Sequence, residues 1–353
     1  LSENPDMSVL LIEAGGEDRN PLIHIPAGYI KTMVNPAMNW MFESEPEASS
    51  GNRRIKIPRG KVLGGSSAIN AMLYVRGQAA DYDEWAQRGN SGWGFDDILP
   101  YFRKAEHAEF TGDNDRFHGR GGPLNVAQLR NRYDGLDRVI EAAESCGYDQ
   151  NPDYNGARQD GFAYYQVTQK HGMRFSAKKA YLDPARRRRN LRVITGAHVK
   201  NIVFDDVGGH APRARSVQFS WRGRTHAAHA GREIILSAGA IQSPQILELS
   251  GIGDPSLLAA HGIGITAARK GVGEHLADHY ISRLSWRLSS PLSINHHARG
   301  IGLAGAVLQY ALTRRGVIGV VRHRTDTPDG MMLPGPCPIF CLLYTSPSPR
   351  DRG

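Results

Sequence analysis

Four apolar residues in a row, Val9 to Ile12, lead into an acid, Glu13, and a glycine pair, Gly15 and Gly16. A short uninterrupted apolar run predicts a buried strand. An acid closing such a strand is the pattern of the second strand in a dinucleotide-binding βαβ unit, where the carboxylate accepts hydrogen bonds from ribose hydroxyls. Further strands are predicted over 162–168, 191–195, 199–204, 217–221 and 234–236, the last a buried strand running into Ser237, Ala238 and Gly239. Ile98, Leu99, Phe102 and Ala105 recur at helical spacing and predict a helix over 96–108. Val139 to Ala143 predicts another, closed by Gly147, and a third runs from about Ser243 to Leu249. A helix over 66–75, capped by Ser66 or Ser67, is also expected. Residues 14–60 read as a long excursion with little regular structure, and long loops are usually functional. The fold class expected is α/β with a substantial antiparallel component, without an internal repeat.

Composition narrows the class. The 353 residues are 40% hydrophobic and 22% charged, as in an ordinary globular protein large enough for two domains. No run of about 18 apolar residues predicts a membrane-spanning helix. Three scattered cysteines, Cys146, Cys337 and Cys341, do not make a disulfide framework and fit a reducing compartment. No leader pattern precedes the first strand, so the expectation is a cytoplasmic protein, at most peripheral to the inner membrane. The net charge of +8 raises nucleic acid as a partner. Its densest patch, Arg186 to Arg189, has no interleaved aromatics and reads as a solvated loop, so no nucleic-acid partner is expected.

The segment PRGKVLGGSSAINAMLYVRG, residues 58–77, carries the most chemistry. Gly64 and Gly65 let backbone press against a ligand. Ser66 and Ser67 stand at the expected helix start, where free N–H groups and the helix dipole favour phosphate, and Arg59 and Lys61 add positive charge. On these residues alone a plain turn before a helix stays open.

The same segment resembles the first signature of the glucose–methanol–choline (GMC) flavin oxidoreductases, from Gly60 through Gly64, Gly65, Ser66, Ser67, Ile69 and Asn70 to Asp83. GAIQSPQILELSGIG, residues 239–253, resembles the second, and IHIPAGY, NPAMNW, YYQVTQKHG and SAKKAYL extend the likeness over roughly residues 1–315. The resemblance is greatest to the bacterial choline- and alcohol-dehydrogenase branch. It implies a Rossmann-like FAD domain, 1–105 with 190–288, and an antiparallel-sheet substrate domain, 106–189 with 289–315. It implies that Glu13 binds the adenosine ribose of FAD, and that Val62 and Asn70, Ala71, Met72 and Leu73 lie against flavin and pyrophosphate. Val199 would contact adenine by its backbone, Ala238 and Gly239 would approach the cofactor, and GVGEHLADH, residues 271–279, would pass near the flavin ring. Ile69 occupies the position where some members attach FAD through histidine, so FAD should be non-covalent.

The implied reaction is oxidation of a primary alcohol, choline or an aliphatic alcohol, to the aldehyde. Hydride goes to flavin N5 and electrons on to a non-NAD acceptor, a quinone, a carrier or oxygen, with the resemblance favouring a dehydrogenase over an oxidase. The family's glycine loop lies about 20 residues before the position of Glu13, and its catalytic histidine lies in its C-terminal part. The chain is therefore expected to lack the first strand and to be an inactive fragment, with no catalytic residue nominated. Residues 316–353 depart from the family and read as a non-native or disordered tail. The alternative is a catalytically dead binding or structural homologue.

Three features read as lures. The GxGxxG of Gly300 to Gly305 follows no buried strand and reads as small residues in a packed helix. His275 and His279 have ligand spacing but no HExxH and no third ligand, so no metal is expected. His296 and His297 read as surface or cleft residues.

Overall fold

The computed structural model describes residues 1–205, 211–278, 297 and 300–319. His279, His296, Cys337 and Cys341 lie outside the described residues, as does all of the expected tail beyond residue 319. The chain divides into two compact units, Leu1–Glu17 with Arg186–Tyr280, and Asp18–Ala185 with Ile281–Gly353. Residues 18–105 thus cluster with 106–185, whereas the partition expected from function groups them with the 190–288 segment.

In the first unit Val9–Ile12 forms a strand parallel to Leu191–Ile194. The pairing continues past the ladder, because Glu13 N–H donates to the Ile194 carbonyl at 2.9 Å and Ala197 N–H to the Glu13 carbonyl at 2.9 Å. Leu10 is 40% exposed, so the expected two-sided burial of this strand is not reached among the described residues. Beside it stands an antiparallel meander of Ala197–Asp205, Arg213–Trp221 and Arg224–His229. The last two strands are joined by Arg222 and Gly223, both at positive φ (50° and 74°), the two-residue turn whose twist suits a hairpin. Ile194, Ala197 and Phe219 form the core here, with Ile12, Val199, Trp221 and Ala228 packed against it. The helix Gly239–Leu249 buries Ile246, and Ser250 Oγ accepts the Ile202 N–H at 2.8 Å, tying the helix end to the meander.

One expected strand is absent. Residues 234–236 are irregular, Ile235 is 57% exposed, and no strand pairs with them among the described residues. An apolar triplet becomes a strand only when a neighbour satisfies its backbone groups.

The second unit begins with the expected excursion, pinned at a few points. Its regular pieces are short: the helices Pro21–His24 and Tyr29–Thr32, 3₁₀ turns at Pro26–Gly28 and Ala48–Ser50, and a two-residue ladder between Phe42–Glu43 and Lys56–Ile57. Asn39 closes its base, its Oδ1 accepting from Arg59 N–H at 2.9 Å and Met41 N–H at 3.1 Å. The helices Phe95–Ala105 and Asp134–Ser145 follow the apolar spacing, the second ending before Gly147 at φ 87°. Ala79–Gln87 was not anticipated. It buries no residue and is held by a capping box between Gln78 and Asp81, so it carries no apolar stripe to read. Glu106–Ala108, expected as the end of a helix, is a strand parallel to Leu124–Gln128, which pairs in turn with Gln166–Val167. Of the strand expected over 162–168, only Gln166–Val167 lies in that ladder. Gly300–Gly305 lies inside the helix Gly300–Thr313, which packs through Ala306 and Tyr310, so these glycines form no phosphate loop. Val317 is buried beside Ala306, so residues 316–319, the start of the expected tail, belong to the fold.

Glu106 becomes strand because its side chain is required inside. It is fully buried, 2.6 Å from the Arg76 Nη2, and accepts the Gly119 N–H at 3.0 Å. His118 bridges it to Asp153, with Nδ1 3.2 Å from Glu106 and Nε2 2.8 Å from Asp153. Burial alone would lower the His118 pKa, but the hydrogen bonds and charges of Asp153 and Glu106 outweigh it and raise it to about 9. A histidine whose folded pKa exceeds its unfolded value of about 6.5 contributes stability in full below that value. That contribution is lost as pH rises through about 9. Urea unfolding should therefore weaken by on the order of 2–3 kcal/mol between the two pH values, and His118→Gln should flatten that slope. An equal slope in the variant would place the titration elsewhere. Glu106→Ala, which strands Arg76 in the interior, should cost about 3–5 kcal/mol in the same measurement.

Candidate cofactor site

In the first unit Glu13 closes its strand, and its half-buried side chain turns back so that Oε1 accepts the Gly15 N–H at 2.7 Å. Burial pushes its pKa up, and the Gly15 hydrogen bond opposes the rise. The second carboxylate oxygen has no donor among the described residues and is available to ligand hydroxyls. The bond from Ala197 N–H to the Glu13 carbonyl brings the segment before Val199 to the same strand end. Val199 pairs with Phe219, its side chain packs on the core, and a bulge follows it directly. Ala238 and Gly239 lie exposed at the start of their helix, with Gly239 at φ 89° and the Ala238 N–H donating to Ser243 Oγ at 3.0 Å.

In the second unit residues 60–73 build a tight loop rather than the helix expected over 66–75. Gly60 must be glycine, since a Cβ there would lie 2.2 Å from the Gly65 carbonyl oxygen. Gly64 and Gly65 are both left-handed, at φ 95° and 55°, and one 3₁₀ turn follows over Gly65–Ala68. The serines cap no helix. Ser66 Oγ accepts the Gly60 N–H at 3.0 Å, and Ser67 Oγ accepts the Ala177 N–H at 2.9 Å.

The helix stops because its acceptors are taken. To continue, the carbonyls of Ser67 and Asn70 would bind the N–H groups of Ala71 and Tyr74. Arg174 holds both carbonyls instead, at 3.0 and 2.7 Å, and Tyr74 N–H donates to Gln166. Asn70 Oδ1 accepts the Met72 N–H at 3.0 Å and bends the chain. Met72 is fully buried at φ 62°, packed against Tyr29, and its carbonyl accepts the Thr168 N–H at 2.8 Å. Val62 and Ile69 are buried together with Ile23, Met38 and Ala68, and Leu73 bridges to Val167.

These residues fit FAD. The two left-handed glycines form a backbone cradle bare of side chains, which a ligand can approach closely. The Gly65 N–H itself is held by the Val62 carbonyl at 2.8 Å, and a Cβ on Gly65 would meet nothing within 4 Å, so that side is open. Ile69, an apolar side chain, offers no covalent attachment. Two cavities, about 510 Å³ beside Thr195 and Trp221 and about 540 Å³ beside Tyr148 and Arg158, contain none of the expected cofactor residues. Among the described residues no His, Cys, Asp and Glu group could hold a metal. His275 is exposed at φ 57°.

Sequence reasoning missed Arg174, which stands in the gap between the two segments YYQVTQKHG and SAKKAYL. It also missed the partly buried Lys178, whose Nζ lies 2.8 Å from Asp18 and 3.0 Å from Asp183. No pattern announces such residues, because the partners of Arg174 and the Asp18 that meets Lys178 lie more than 100 residues away in the chain.

Comparison with known proteins identifies the family. The family model for GMC oxidoreductases matches residues 23–281. An oxygen-dependent choline dehydrogenase of Rhizobium johnstonii is 41% identical over 322 residues, covering 90% of this chain and 56% of that protein. An uncharacterized GMC-type oxidoreductase of Mycobacterium tuberculosis is 38% identical over 99% of this chain, a span reaching beyond Arg315, and 66% of its own length. The crystal structure of pyridoxine 4-oxidase from Mesorbium loti matches with a TM-score of 0.70 at 34% identity, over 76% of this chain and 52% of that one. The chain belongs to the GMC oxidoreductase family, an α/β flavoprotein fold whose expected cofactor is FAD. It spans about half the length of the choline dehydrogenase relative.

The glycine pair separates stability from binding. Gly64→Ala forces a side chain to φ 95° with its Cβ 3.1 Å from the Lys178 Cβ, and Gly65→Ala meets open space. Thermal melts should show Gly64→Ala costing about 2–3 kcal/mol and Gly65→Ala about 1. Flavin content should nonetheless fall severalfold in the Gly65 variant. A Gly65 variant that purifies with a full complement of FAD contradicts the cradle.

Proposed function

We propose that the complete polypeptide oxidises a primary alcohol, choline or an aliphatic alcohol, to the aldehyde and passes the electrons to a non-NAD acceptor, a quinone or carrier. Bound FAD supplies the redox chemistry by accepting hydride at N5. The observation that carries this reading is the left-handed glycine pair with its open side, on the loop that matches the GMC signature. The chain's own residues bind and orient. Glu13 accepts ribose hydroxyls, the 62–73 loop seats the pyrophosphate and flavin through Val62, Gly64, Gly65, Ser66, Asn70, Ala71, Met72 and Leu73, and Val199, Ala238 and Gly239 complete the adenine and flavin contacts. Residues 1–105 with 190–288 act as the cofactor domain, and 106–189 with 289–315 as the substrate domain. The choline dehydrogenase relatives support the substrate class.

These 353 residues alone are proposed to be inactive; they span about half the length of the choline dehydrogenase relative. The protein is proposed to be cytoplasmic, at most peripheral to a membrane. Among the described residues no helix is long and apolar enough to cross one.

Anaerobic addition of choline or primary alcohols to the complete flavoprotein should bleach its visible flavin band. A quinone or dye should restore the band, and NAD⁺ should not. Bound flavin that no alcohol bleaches would identify a catalytically dead homologue. Glu13→Ala should weaken FAD about tenfold, the worth of charge-assisted hydrogen bonds, and unchanged affinity would remove Glu13 from the site.

A further inference from the structure

Arg174 is 1% exposed, yet among the described residues no carboxylate pairs with it. All its bonds go to neutral oxygens. Nε donates to the Ile23 carbonyl at 2.7 Å, Nη1 to the Ser67 carbonyl at 3.0 Å and to Asn70 Oδ1 at 2.7 Å, and Nη2 to the Asn70 carbonyl at 2.7 Å. The nearest charged neighbours do not compensate it. Lys179 Nζ donates to the Arg174 carbonyl at 3.1 Å and adds a second cation. The acids close by, Asp18 and Asp183, are already engaged by Lys178. Burial depresses the guanidinium pKa to about 10, which leaves it charged at neutral pH.

A buried ion without a counter-ion is costly, and proteins ordinarily pair it. Four carbonyl-type dipoles satisfy the hydrogen bonds here without neutralising the charge. Three of those dipoles belong to the loop Ser67 to Met72, which follows directly on the open glycine pair.

We propose that Arg174 is a positioning residue with an electrostatic role: it grips the 67–72 loop from behind and keeps an unneutralised positive charge there for an anionic group of the cofactor to complete. This rests on the FAD reading above. The anion is either the pyrophosphate or the reduced isoalloxazine, and the same charge serves both.

The test uses the complete protein, stripped of flavin and titrated with FAD. Asn70→Asp preserves both acceptor contacts but places a carboxylate on the guanidinium. It should hold or raise the melting temperature of the apoprotein while weakening FAD about tenfold. Arg174→Met should weaken FAD at least as much, and Arg174→Lys, which keeps charge but loses the fork, should recover part of the loss. In the Arg174→Met background the effect of Asn70→Asp should shrink, because the cation it neutralises is gone.

Asn70→Asp binding FAD as the wild type does, with Arg174→Met losing affinity only in step with its melting temperature, overturns the electrostatic role and leaves a structural clamp. An Asn70→Asp effect undiminished in the Arg174→Met background overturns it too, since Asn70 then acts directly. If Arg174→Met does not fold, Asn70→Asp and Arg174→Lys decide. Wild-type protein that binds no FAD defeats the cofactor reading itself. Losses equal for oxidised and reduced FAD place the anion at the pyrophosphate, and a larger loss for reduced FAD, read as a lowered midpoint potential, places it at the isoalloxazine.

Discussion

Competition for two carbonyl oxygens shapes the candidate site. Ser67 and Asn70 would each feed a helix, and local propensity after Gly65 favours one. The Arg174 fork takes both oxygens at charge-assisted strength. Once those acceptors are removed, the chain can close only one 3₁₀ turn before Asn70 bends it and Met72 enters the core at positive φ. The strained backbone at Met72, of order 1 kcal/mol, is held by full burial against Tyr29 and by the Thr168 N–H. The open glycine pair follows from the same arrangement, because Ser67 is also fixed from its other side by Ala177.

The first unit solves a different problem. Glu13 must stand at a strand end with its carboxylate partly desolvated and still able to accept. Parallel pairing with Leu191–Ile194 fixes the backbone, and the Gly15 N–H takes one oxygen and leaves the other. The antiparallel meander behind it supplies the apolar floor through Phe219 and Trp221. Both units thus present short backbone segments, held by hydrogen bonds from behind, with small or polar residues in front.

What could be read from the chain follows from how local each signal is. The strand at Val9–Ile12 with Glu13, the helices at 95–105, 134–145 and 239–249, and the first two meander strands show in short-range pattern, whereas the third, Arg224–His229, is polar and basic and shows none. The glycine signature was legible as a ligand loop, but its conformation was not, because Arg174 lies more than 100 residues away from the carbonyls it removes. Ile234–Leu236 misled for a related reason, since an apolar triplet does not carry its own ladder partner. Glu106 was read as helix because the spacing before it is helical. The buried Arg76 and His118 that pull it into a strand are invisible to periodicity. The charged helix 79–87 escaped because it contributes nothing to the core.

The central proposal is that the 60–73 loop and the end of the Glu13 strand each contribute contacts to FAD. Hydrogen exchange of the complete protein with and without FAD tests it most directly. The account predicts that FAD slows exchange in peptides spanning 60–73 and 11–16, where the bound cofactor suppresses local opening. Protection confined to other segments, such as the cavity beside Tyr148 and Arg158, with none at these two, would contradict it.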